Sequence, residues 1–224
     1  AEGATNTISN IFHAEDRGAL QSYAQRPEQL GLLTRSVPCC SNAFFRQLPM
    51  EGLMIEGEVR ATSASQDIRA LLNDVVPEAQ MSHSFYSTWV TDMAQACEMF
   101  CDINGSDRTS FSLGAQHGCG HSHADEPILG MHVTYAGNER EWLPSTAADG
   151  QTSLEGELHE QILKDNNSAG NMVTPWDIVV FRGGEHSFQP LASGGDSSCG
   201  ASLVMRLGQV KALAHSHSCC GSAR

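Results

Sequence analysis

Gln116 to Tyr135 reads QHGCGHSHADEPILGMHVTY. In an extended strand successive side chains take opposite faces, so Cys119, His121, His123 and Asp125 share one face. A His-x-Asp pair at that spacing presents an imidazole and a carboxylate to one metal ion. The third ligand must come from elsewhere in the chain. His186, in the segment RGGEHSFQP that ends at Pro190, is the candidate. Two histidines and one carboxylate make a facial triad with open positions, which suits ferrous iron. Thiolate and imidazole together favour zinc, which places Cys119 and His121 next in rank as ligands. The expected cofactor is therefore one ion, zinc or ferrous iron.

The chain has 224 residues and a formal net charge of -13. That length supports one large domain, or a core domain with a helical extension. A strongly acidic chain is poorly suited to a phosphate backbone, so no nucleic-acid partner is expected. No apolar run approaches the length of a membrane span. Peripheral attachment to a membrane complex stays open. The 8 cysteines include two adjacent pairs, Cys39-Cys40 and Cys219-Cys220, and a pair four apart, Cys97 and Cys101. Disulfides, ligands and buried thiols are all compatible with that spacing. The start, Ala1-Glu2-Gly3-Ala4, reads as a mature end left after cleavage of a targeting segment, for an organelle or the periplasm.

Residues 1 to about 60 read as irregular, with Met50 to Val59 a strand or a poor helix. Ser63 to Val76 is an expected helix: Ser65 caps it, and Ile68, Leu71, Leu72 and Val75 form its apolar stripe. Pro77 ends it. Ser84 to Phe100 is a second, with Phe85, Trp89, Met93, Ala96 and Phe100 on one face. After Asn104-Gly105 the period becomes that of strands: Thr109 to Leu113, Ile128 to Tyr135, Ile178 to Arg182 and Ala201 to Leu207. Leu154 to Lys164 reads as a further helix. His215 to Cys220 is a short Cys/His tract of the kind that binds metal loosely.

A 2-oxoglutarate oxygenase would also need a cation for the far carboxylate of its cosubstrate. Arg206, on the last strand, is the candidate. A shift of one residue reverses a strand's face, so its role depends on register. Cys119 and His121 could fill the metal's remaining positions, which favours binding over turnover. Ser187 and Ser202 lack the base and orienting acid of a serine hydrolase. Gly183-Gly184 lacks the spacing of a phosphate loop.

Three segments together resemble the bacterial domain-of-unknown-function family DUF1826: Cys119-x-x-x-His123-x-Asp125, Thr134-Tyr135-x-Gly137, and Glu141-Trp142-Leu143. His186-Ser187-Phe188-Gln189-Pro190 parallels a late His segment of the same family. The resemblance covers about Asp92 to Leu207. It implies a cupin-like double-stranded β-helix and a metal site at His123, Asp125 and His186. The chain departs from the family pattern at Ser122, at Asn138-Glu139-Arg140 and at Ser187, around the ligands rather than at them.

The resulting expectation is an α+β chain in three parts: a helical and irregular region over residues 1–104, a cupin-like barrel over 105–210, and a Cys/His tail over 211–224. The expected function is metal binding, with oxygenase-like or hydrolytic chemistry on an unidentified substrate. The alternative is a non-catalytic subunit of a larger assembly, such as a plastid or photosynthetic membrane complex. Altered surroundings about an intact ligand set are what a recruited member would show.

Overall fold

The computed structural model describes residues 11–116, 128–138, 140–143, 172–182, 187–190 and 201–210. In chain order its elements are β1 (Ile11–His13), α1 (Arg17–Gln21), β2 (Leu30–Leu33), α2 (Ser41–Arg46), β3 (Met54–Arg60), α3 (Ala64–Asn73), α4 (Glu78–Met81), α5 (Ser84–Asn104), β4 (Arg108–Gln116), β5 (Leu129–Ala136), β6 (Arg140–Leu143), β7 (Met172–Val173), β8 (Ile178–Arg182), β9 (Ser187–Pro190) and β10 (Ser202–Gly208). The chain is α+β, as its two periodicities require.

The strands form two sheets. A seven-stranded sheet has the order β1-β2-β8-β5-β10-β4-β3, and a three-stranded sheet has the order β7-β6-β9. Among the described residues only β1 and β2 pair in parallel, and every other neighbouring pair is antiparallel. The large sheet is open, with β1 and β3 at its edges among the described residues. Among the described residues it does not close on itself. The N-terminal half also differs from the expected helical region. It supplies β1, β2 and β3 to the same sheet as the C-terminal strands, so the two halves share one core. Met54–Arg60 resolves the ambiguous Met50 to Val59 stretch as a strand.

α5 is the helix against which the large sheet packs. Trp89, Met93 and Phe100 are all 0 % exposed, in agreement with the apolar stripe. His83 Nδ1 accepts from the Phe85 amide at one end. Gly105, at φ +66°, closes the other, where its N–H and that of Ser106 meet the Asp102 and Cys101 carbonyls. The left-handed residue that ends a helix is glycine because a Cβ is disfavoured there. Cys97 and Cys101 are buried on this helix, and burial raises both thiols, that of Cys101 to about 11. They serve as small apolar groups.

α3 is shorter than its apolar spacing suggests. It ends at Asn73, so Val75 falls outside the stripe and is 40 % exposed, while Val76 takes the buried position at 3 %. Ser65 does not cap it; Ser63 occupies the N-cap position and donates its hydroxyl to Asp67 at 3.0 Å. Asp67 in turn accepts from Arg60 Nε at 3.1 Å and Nη2 at 2.8 Å, tying the helix start to the end of β3.

Candidate functional site

The two faces of the large sheet carry different chemistry. Met131, Val133, Val180, Met205 and Leu207 belong to one core with the apolar side of α5. Leu30, Leu32, Val179 and Phe181 belong to a second cluster, which includes Val173 of β7. The small sheet's β7 therefore lies over the face opposite the helices.

On the helical side Asp92 gathers charge at a junction of three elements. Arg35, in the connection after β2, donates to both Asp92 oxygens, at 2.5 and 3.1 Å. The Tyr135 hydroxyl of β5 donates to Asp92 Oδ2 at 2.9 Å. Arg17 of α1 pairs with Asp92 at 3.3 Å and also donates to Gln95. The Asp92 side chain is only 11 % exposed, and Tyr135 only 1 %. Burial, then the Asp92 charge, raises the Tyr135 hydroxyl well above its ordinary value. It is a donor fixed in its protonated form.

Arg35 also secures the turn between β7 and β8. Its Nε donates to the Trp176 carbonyl at 2.6 Å, and its amide donates to Asp177 Oδ1 at 2.9 Å. Trp176 has φ +75°, a left-handed conformation that a non-glycine residue holds only under constraint. Its own N–H reaches the Thr134 carbonyl at 2.7 Å. An open cleft of about 430 Å³ lies here, with Ser36, Ser87, Thr91, Asp92 and Trp176 among its walls. The Arg35 donors on its floor are already used by Asp92 and the Trp176 carbonyl, so the cleft offers hydroxyls rather than an available charge.

The Thr134-Tyr135-x-Gly137 segment acquires a physical reading from this geometry. Thr134 and Tyr135 anchor the β7–β8 turn and α5. Gly137 has φ +120°, and a Cβ there would stand 2.3 Å from Ser202 Oγ and 2.9 Å from Ser202 Cα. Only glycine fits where the chain leaves the large sheet for the small one.

The opposite face carries a polar row. Arg206 pairs with Ser112 on β4 and with His132 on β5, and His132 pairs with Val179 on β8. Val179 pairs with Leu32 on β2. Residues directly opposite one another share a face. Arg206 and His132 therefore stand on the side of β7, away from the helices. The His132 ring meets that of Phe181 edge-on at 4.6 Å. Arg206 is half-buried between Met205 and Leu207, which face the helical core.

Of the residues singled out by sequence, Arg206 is placed and its register is settled. Cys119, His121, His123, Asp125 and His186 lie outside the described residues, as do Leu154 to Lys164 and the Cys/His tail. Among the described residues no group of three His, Cys, Asp or Glu could hold a metal ion. Nor is any helix among them long and apolar enough to cross a membrane. Sequence reasoning missed the Asp92 junction, although a carboxylate three residues after Trp89, on the apolar side of α5, was its signal.

An α+β chain with two sheets and a helical layer on one of them is the class that this geometry defines. The family model described as "Protein of unknown function (DUF1826)" matches residues 14–191, and the chain belongs to that family. The match reaches further toward the N-terminus than the resembling motifs do, taking in α1 through β9. It stops short of β10 and of Arg206. No curated protein matches the chain.

Proposed function

We propose that the chain is a metal-binding protein of cupin type. In this reading a double-stranded β-helix holds one zinc or ferrous ion through His123, Asp125 and His186, with Cys119 and His121 beside them. Strand order is the observation that carries it. β4 and β5 both run antiparallel to β10 and flank it, so they are parallel to each other. Gln116 lies opposite Ser202 and Gly130 opposite Gly208. The end of β4 and the start of β5 therefore stand about 20 Å apart along β10 at about 3.3 Å per residue.

From β5 onward the chain alternates between sheets: β5 in the large one, β6 and β7 in the small one, β8 large, β9 small, β10 large. β8-β5-β10-β4 of the large sheet together with the three strands of the small one support the double Greek key of a cupin. In the sequence Ser187, the first residue of β9, follows His186 directly. The inward face would carry Arg206 and His132. A bound ion would supply Lewis acidity there. Arg206 would add a fixed positive charge for an anionic group, its position between Ser112 and His132 being the support for that role.

Anaerobic titration with cobalt(II) tests the reading. One equivalent should bind saturably, with visible bands abolished by His186→Ala, and a near-ultraviolet thiolate band would mark Cys119 as a ligand. Absence of stoichiometric binding, or unchanged bands in the variant, would refute it.

A further inference from the structure

The exposed Cys39-Cys40 pair stands apart from the residues discussed above. Both thiols are exposed, whereas Cys97 and Cys101 are buried. The Cys39 and Cys40 sulfurs lie 3.4 Å apart. Cys40 has φ +72° and forms the N-terminal boundary of α2. That left-handed residue directs two adjacent side chains to the same side, where alternation would separate them. The chain therefore holds both thiols together within hydrogen-bonding distance and without a covalent bond between them.

We propose that Cys39 and Cys40 form a dithiol site that chelates one soft, three-coordinate centre of the trivalent arsenic type. The separation decides against two alternatives. Adjacent Cα atoms are about 3.8 Å apart, less than the roughly 4.4–6.8 Å of an unstrained disulfide. A direct sulfur–sulfur bond here would be strained and easily reduced. A centre bonded to both sulfurs at about 2.3 Å would subtend about 95° between them, tighter than the tetrahedral angle of structural zinc. A pyramidal centre accepts that angle.

The protonation state agrees. The neighbouring Cys39 sulfur raises the Cys40 thiol, first by hydrogen bonding and then by charge, so it stays protonated at neutral pH. Condensation with an organoarsenic(III) oxide consumes both S–H groups. Two arsenic–sulfur bonds form, the arsenic–oxygen bond breaks, and the oxygen leaves as water with both protons. Arsenic remains trivalent, and no oxidant is needed.

The probe is phenylarsine oxide, added to the reduced full chain with Cys219 and Cys220 changed to Ser. Trypsin then releases residues 36–46, which contain Cys39 and Cys40 and no other cysteine. That peptide should carry one phenylarsenic group that survives excess monothiol and is removed by ethane-1,2-dithiol. Cys39→Ser and Cys40→Ser should each weaken retention roughly 10²–10⁴-fold, the loss of an effective concentration. Both sites are exposed, so the thermal melt of either variant should match the parent. An unmodified peptide, a Cys39–Cys40 disulfide in its place, or full retention in either single variant would overturn the proposal.

Discussion

Removing the Asp92 carboxylate should loosen the attachment of α5 to the sheet, and a double-mutant cycle with Tyr135 measures how much. In Asp92→Ala the Tyr135 hydroxyl, 1 % exposed, loses its acceptor, and Arg35, with a side chain 16 % exposed, loses its counter-charge. Breaking a buried pair from one side costs about 3–5 kcal/mol. Tyr135→Phe removes only the donor, since Asp92 keeps Arg35 and Arg17. One hydrogen bond to a charged acceptor contributes about 1.5–3 kcal/mol. In the Asp92→Ala background the same Tyr135→Phe change should cost nothing, because the hydroxyl is already unpaired. The coupling should therefore equal about 1.5–3 kcal/mol. Urea unfolding at pH 7 reads it directly. The Trp176 ring lies 4.8 Å from Tyr135 and that of Trp89 6.1 Å, so tryptophan fluorescence reports on this junction. Additivity of the two changes within about 0.5 kcal/mol would refute the reasoning.

Phe100→Ala, in the centre of the α5 stripe, should cost about 3–5 kcal/mol in a denaturant melt; a change near zero would deny its core position. Hydrogen bonds from Arg60 hold the Asp67 carboxyl well below the usual range. Its folded value lies under its unfolded one, so the contribution is present above about pH 4 and fades as pH falls further. Asp67→Asn should accordingly lower the melting temperature at pH 7, with the difference from the parent shrinking toward pH 2. If Cys119 and His121 fill the metal's remaining positions, ferrous iron and 2-oxoglutarate added anaerobically should give no visible charge-transfer band. A band that disappears in Arg206→Ala would contradict this.

The sequence carried the elements whose neighbours are local. α5 was legible because a long apolar stripe ended in Asn104-Gly105, and β8 because four apolar residues in a row preceded Arg182-Gly183-Gly184 in the sequence. β1 and β2 were not. β1 has three residues, too few for a period to show, and all of Leu30–Leu33 is buried, so β2 lacks the alternation of a half-exposed strand. β1 pairs only with β2 among the described residues, and β2's other partner, β8, lies near the other end of the chain, beyond any local pattern. The Arg35–Asp92–Tyr135 junction was hidden for the same reason, its members being 57 and 43 residues apart. Arg206 was recognised as a candidate, but its face depended on cross-strand register, which periodicity alone leaves open. Pairing of β3 with β4 bridges α3, α4 and α5, a contact that no local pattern in the sequence signals.

Native mass spectrometry tests the proposed metal centre most directly. Protein exchanged from buffer containing zinc or ferrous iron should carry the mass of one ion per chain. His123→Ala, Asp125→Ala and His186→Ala should each lose it, while His132→Ala, a change on the large sheet rather than in the ligand set, should keep it. Metal-free parent protein, or an ion retained in all three ligand variants, would contradict the account.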